Sequence, residues 1–338
     1  MTHLGPIHHP APTPDPWHLP GVAQPPGAMP VGAIMLELVA LPAAPTVLLH
    51  VAPGPASTLG RILLRGCAGR GVSVAVETAA GRAALSVAWP DAGASRAGLA
   101  LGWDGARVTL AAAPGGLAHL GQSQTAVPLA WHADAAASAT LTGHGPGLWA
   151  HPAATWHAMR AGQNRPLPAA LLAPATRIDT PGGPRRAGDL RPGDAVCTLG
   201  GGPRPVAAIR HHWLAPRGTL APVRLRAGYC PTARDILVGP RQPVLLDGPG
   251  VEDATGRDEI LIRAADLAQT RLARAIEGDA AVPMVAIALD APGLILADGM
   301  ALACAAAAAV GPAAPIPLAT PAEAAAIVWR YRHRAVTQ

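Results

Sequence analysis

The stretch from Leu171 to Leu199, LLAPATRIDTPGGPRRAGDLRPGDAVCTL, constrains the fold more than any other part of the chain. Thr176-Arg177-Ile178 reads as a short strand, and Pro181-Gly182-Gly183-Pro184 is a turn cluster. Arg191-Pro192-Gly193-Asp194 is a second turn, in which Pro fixes φ and Gly accepts a positive φ. Ala195 to Leu199 reads as another strand. The layout is strand, turn, short polar segment, turn, strand.

The same punctuation runs through the N-terminal half. Short apolar runs separated by turn residues predict strands at Ala33–Leu41, Thr46–Val51, Arg61–Arg65, Val72–Thr78, Ala84–Trp89, Gly98–Trp103, Arg107–Ala112, Val127–Trp131 and Ala139–Thr142. Val72 to Glu77 alternates apolar and polar with period two. Trp103-Asp104-Gly105-Ala106 has the Asp-Gly of a hairpin turn. Short strands at near-regular spacing predict a β-sandwich or barrel. The strand, Trp-Asp-Gly, strand hairpin resembles those of laminin-G-like sandwiches.

The C-terminal half resembles the Hint domain, the self-processing module of Hedgehog C-terminal regions and inteins, in its bacterial form. Three ordered blocks carry the resemblance: Leu171 to Ile178 with Leu190 to Val196; Ala221 to Gly228 with Arg234 to Pro240; and Val285 to Asp290 with Leu294 to Gly299. The resemblance implies a compact all-β module. It also implies where the reacting groups belong, and those positions hold other residues. The family's nucleophilic Cys falls on Leu171, its His on Gln242, and two later His positions on Ala286 and Pro292. Thr176, Asp194 and Asp290 are retained motif residues. The family's reaction starts when a thiol or hydroxyl attacks the preceding carbonyl while a His polarises the amide. Leucine has no nucleophilic atom, and glutamine exchanges no proton near neutral pH.

Other constellations are sparse. Ser123 in Gly-Gln-Ser-Gln-Thr is no nucleophile elbow. Asp189, Asp194, Asp235 and Asp290 read as turn or strand-end acids without paired-carboxylate spacing, and His211-His212 as a strand end. Cys67, Cys197, Cys230 and Cys304 lack metal-site spacing and read as buried thiols, without deciding the redox compartment. The His-rich leader and the group His144, His151 and His157 match no zinc template. Trp89, Trp103, Trp131 and Trp149 either stack on sugars or fill a core that has no Phe to fill it.

Five segments are expected: a disordered leader at 1–30, a sandwich at 31–150, a linker at 151–170, a Hint-like domain at 171–300 and a helical tail at 301–338. The tail comprises an Ala-rich helix at Ala301–Val310 and a helix opened by the capping box Thr320-Pro321-Ala322-Glu323, with Ile327, Val328 and Tyr331 as its apolar face. The formal charge is +5, but the Arg residues are dispersed and no nucleic-acid motif occurs. No cofactor or metal is expected. No secretory signal or membrane span is read, so the chain is expected in the cytoplasm or exported without a cleaved signal. Three functions follow: a degenerate Hint module in structure or interaction, a self-cleaving protein using another nucleophile, and a lectin-like protein that binds a glycan or protein.

Overall fold

The computed structural model describes residues 17–18, 31–51, 62–67, 70–78, 81–87, 96–104, 107–116, 127–130, 148–161, 167–278, 280–305 and 316–333. The N-terminal strands are β1 (Trp17–His18), β2 (Val31–Leu38), β3 (Thr46–Val51), β4 (Ile62–Cys67), β5 (Gly71–Thr78), β6 (Gly81–Val87), β7 (Ala97–Asp104), β8 (Arg107–Pro114), β9 (Val127–Ala130), β10 (Leu148–Ala150) and β11 (Ala154–Ala161). They form two antiparallel sheets, ordered β1-β11-β2-β7-β8-β9 and β10-β3-β4-β5-β6. Leu36, Leu38 and Leu99 of the first sheet meet Leu49, Leu64 and Val74 of the second in one buried cluster. Two sheets closed over a shared apolar layer make a sandwich. The Asp-Gly hairpin is in register, with Asp104 opposite Arg107. The strand expected at Ala139–Thr142 lies outside the described residues.

Two expectations need correction here. The linker placed at 151–170 begins with a strand: β11 pairs with β2 along its length, from Ala154 opposite Leu38 to Ala161 opposite Gly32. Its sequence, ATWHAMRA, lacks a clean alternation, so tertiary pairing decides it. Of the leader expected at 1–30, residues 17–18 are described, and they pair with β11 as β1.

β2 buries both of its faces. Ile34, Leu36 and Leu38 point into the sandwich. Ala33, Met35 and Glu37, on the other face by the period of two, are also buried.

From residue 171 the strands are β12 (Arg177–Ile178), β13 (Arg185–Arg186), β14 (Ala195–Thr198), β15 (Gly202–Leu214), β16 (Val223–Leu225), β17 (Ile236–Val238), β18 (Pro243–Asp247), β19 (Glu259–Arg263), β20 (Ala273–Ala275), β21 (Val282–Leu289), β22 (Leu294–Ala297) and β23 (Met300–Ala303). One sheet follows β19-β18-β23-β22-β14-β15-β21 with β12 and β13 branching from β22; the other is β17-β16-β20. The turn at Arg191–Asp194 closes as its sequence predicts. The Asp194 N–H donates to the Arg191 carbonyl (3.0 Å), the Arg191 N–H donates to Asp194 Oδ2 (2.7 Å), and Gly193 has φ +93°. β15 is long because its start pairs with β14 and the remainder with β21. α1 (Pro249–Thr255) follows β18. Pro249 opens it, and Gly256 closes it in the left-handed region. α2 spans Ala264–Leu267.

The Ala-rich helix expected from Ala301 is replaced by a strand. β23 pairs with β22, Leu294 opposite Ala303 through Ala297 opposite Met300, and its four residues are buried. Pairing and burial override the helical preference of alanine. Residues 306–315 lie outside the described set.

α3 (Pro321–His333) docks on this body. Ala324 and Ile327 enter its core, with Tyr331 packed alongside and Val328 half-buried. The basic end is tied to its neighbours: Arg330 pairs with Asp253 of α1, and Arg332 Nε donates to the Gln269 carbonyl (3.0 Å). The capping box is complete. The Thr320 N–H and hydroxyl donate to Glu323 Oε2 (2.8 Å each), and the Glu323 N–H donates back to the Thr320 hydroxyl (3.3 Å). The Thr320 backbone N–H, then its hydroxyl, and the Arg257 guanidinium hold the Glu323 carboxyl below its ordinary value of 4.5. A carboxyl depressed in the folded state contributes stability above its unfolded pKa and loses it as pH falls through the folded one. The protection of the α3 amides, taken as exchange relative to the intrinsic rate at each pH, should therefore fall as the pH drops below about 4.5. Thr320→Ala should remove about 1 kcal/mol at neutral pH and flatten that dependence. A steep acid dependence surviving in the variant would contradict this account.

Candidate functional site

The segment entering the second body is stitched between its two sheets. Leu172 exchanges hydrogen bonds with Val285 of β21 (2.9 and 2.7 Å), and the Ala173 N–H donates to the Leu237 carbonyl of β17 (2.9 Å). The Leu171 carbonyl accepts from the Gly239 N–H (2.8 Å). The Leu171 side chain turns away from the main core. It is 2% exposed and clusters with Leu214, Leu220, Met284 and Ala286 and with Ala33, Met35 and Ala100 of the sandwich. Leu171 and Ala286, two of the positions where reacting groups were expected, thus share one apolar cluster that the sandwich helps to form.

Gln242 is fully buried in other surroundings. Its Nε2 donates to the carbonyls of Pro243 (3.0 Å) and Ala303 of β23 (2.8 Å). Its Oε1 is buried without a partner among the described residues. Gly239 links it to Leu171 through the backbone. The Gln242 N–H donates to the Gly239 carbonyl (3.1 Å), and Gly239 packs against the Leu171 Cβ closely enough that a Cβ of its own would lie 2.9 Å from it. The amide is a structural clasp between β18 and β23.

The remaining positions are dispersed. Thr176 is buried, and its carbonyl accepts from the Ala187 N–H (2.8 Å). Asp194 closes its turn and pairs with Arg185 (3.0 Å); the Arg191 backbone N–H first, then Arg185, lowers its pKa. Asp290 pairs with Arg204 (2.5 Å), which also donates to the carbonyl of the exposed Pro292 (3.1 Å). These are fold-setting contacts. His211 and His212 lie on β15; Asp189 ends a 3₁₀ turn at residues 187–189, and Asp235 Oδ1 accepts from the Ala227 N–H (2.9 Å). The His151 Nδ1 accepts from the Ala153 N–H (3.0 Å) in the turn before β11. Ser123, His144, Trp89 and Trp131 lie outside the described residues, as do the side chains of His157, Trp103 and Trp149. No group of three or more His, Cys, Asp or Glu able to hold a metal occurs among the described residues. The four cysteines are free thiols; burial pushes Cys230 up to about 11, and its Sγ donates to the Leu272 carbonyl (3.3 Å). No helix among the described residues is long and apolar enough to cross a membrane.

Residues 171–306 match the family model of the Hint domain. The chain carries a Hint domain. The match opens at Leu171, where the resemblance set the family's first residue. Solved structures similar to the chain include the MchDnaB-1 intein (18% identity, TM-score 0.27, covering 39% of this chain and 98% of that one) and the gp41-1 intein (13%, TM-score 0.29, 40% and 98%). Another is the CBM40 module of a Ruminococcus gnavus IT-sialidase bound to α2,3 sialyllactose (18%, TM-score 0.25, 41% and 66%). No curated protein matches.

Sequence reading did not single out Met35, Glu37, Ala100 and Thr219, the residues by which the sandwich meets the Hint domain. A signal was available for two of them: an acid between leucines in β2, and the alternation Gly98-Leu99-Ala100-Leu101-Gly102 in β7, in which small residues share one face.

Proposed function

We propose that this is a degenerate Hint protein whose Hint domain has exchanged self-processing for a structural or interaction role. The observation that carries this is the burial of Leu171 and Ala286 in an apolar cluster with sandwich residues. An acyl shift at residue 171 needs a nucleophilic atom there and a group to move its proton; leucine supplies neither, and Gln242 spends its N–H donors on two carbonyls. Loss of such residues commonly costs factors of about 10² to 10⁴ each. The proposed boundaries are a sandwich at 31–161, a Hint domain at 171–305 and a docked tail helix at 321–333.

Freshly purified protein should run as one full-length band on a denaturing gel for many hours, with the intact mass unchanged. Two fragments of about half size, cut between Ala170 and Leu171, would establish the self-cleaving alternative. The glycan-binding alternative rests on the tryptophans of the sandwich; binding on a glycan array lost in Trp103→Ala would support it.

A further inference from the structure

We infer that the partner of the altered Hint face is the chain's own sandwich, permanently seated, with Glu37 as the latch that holds it; this rests on the non-processing reading above. Three observations converge.

The first is the carboxylate. Glu37 is fully buried, on the outer face of β2. It accepts from Arg96 Nη1 of its own half (3.0 Å). From the Hint domain it accepts the backbone N–H of Thr219 (3.1 Å to Oε1) and the Thr219 hydroxyl. Thr219 lies in a 3₁₀ turn at residues 218–220 whose own preceding residue, Arg217, makes no side-chain cap. A side chain distant in sequence therefore does the work that an N-cap would do locally. Hydrogen bonds with one charged partner are about twice as strong as neutral ones, and a buried carboxylate needs them.

The second is the fit. Met35 lies opposite Ala100 across the β2–β7 pair, and Ala33 and Glu37 lie opposite Gly102 and Gly98. Small residues let the Hint domain approach the sheet closely. Gly116 shows how closely: at φ +102°, a Cβ there would meet the Thr219 side chain at 2.6 Å and Glu37 Oε2 at 2.9 Å. The third is what lies beneath. The apolar cluster under the latch includes Leu171 and Ala286. Two of the four positions where reacting groups were expected thus carry side chains suited to a dry contact.

The test uses the full chain carrying Leu171→Cys. Thiol alkylation is read at residue 171 by peptide-resolved mass spectrometry, beside the buried Cys67 and Cys304 and the half-buried Cys197. Residue 171 should label as slowly as Cys304. Adding Glu37→Gln or Thr219→Val should speed its labelling about tenfold or more, the loss expected for a charge-assisted hydrogen bond, while Cys304 stays protected. Rapid labelling with Glu37 intact, or a rate that neither variant changes, would overturn the inference. If Leu171→Cys does not fold, amide exchange replaces it. In Glu37→Gln alone, the Leu172 and Gly239 amides should lose protection relative to Ile262, and unchanged protection would overturn the latch. Fragmentation of the native chain on the gel would instead defeat the non-processing reading and leave the labelling result standing.

Discussion

Gln242→Ala should lower the stability of the Hint domain by about 3 kcal/mol. The side chain is fully buried, so truncation leaves a cavity. It also deprives the carbonyls of Pro243 and Ala303 of the amide donor they share. An acceptor left buried without a partner costs about 1–3 kcal/mol. One term runs the other way. Gln242 Oε1 has no partner among the described residues, so its removal returns part of the loss. Gln242→Met, which keeps the volume and removes every polar atom, should therefore fall between wild type and Gln242→Ala. Chemical denaturation followed by far-UV circular dichroism measures all three. A loss below about 1 kcal/mol for the alanine variant would show that the amide is not the clasp between β18 and β23.

Ile327→Ala should cost about 2–5 kcal/mol, the usual range for emptying a core site of this size. Ile327 is fully buried in the main Hint core although it lies beyond the matched residues. Its loss should undock α3 and expose part of α1 and α2. Trp329, on the same helix but 66% exposed, provides the contrast. Trp329→Ala should cost under about 1 kcal/mol. Limited proteolysis distinguishes undocking from global unfolding. The Ile327 variant should be cut first within α3, with the β-core surviving longer. Equal losses for the two variants would mean that α3 is not a part of the core.

What could be read from the sequence was what turn chemistry and period-two alternation encode. Pro192, Gly193 and Asp194 specify their turn locally, and the Thr320–Glu323 box specifies the start of α3, so both formed where expected. Residues 154–161 were misassigned because the deciding contacts come from β2, distant in sequence. Residues 301–303 were misassigned although β22 lies just before them across the turn at Asp298 and Gly299; pairing there and burial of all four residues of β23 outweigh the helical preference of alanine. Only three-dimensional pairing makes ATWHAMRA a strand. The resemblance singled out positions 171, 242, 286 and 292 as the places where reacting groups were expected. That two of them would be covered by the other half of the chain was not visible in the sequence, because the covering residues are an ordinary alanine, methionine and glutamate in a strand already explained by its inward face.

The two-sided burial of β2 has a bearing on synthesis. The sandwich half leaves the ribosome first, at about 5–20 residues per second, so its outer sheet face waits for the remainder to be made. During that interval Ala33, Met35 and Ala100 lack the cover they have in the finished chain. A charged Glu37 among them should disfavour sticking between neighbouring nascent chains until the second half arrives.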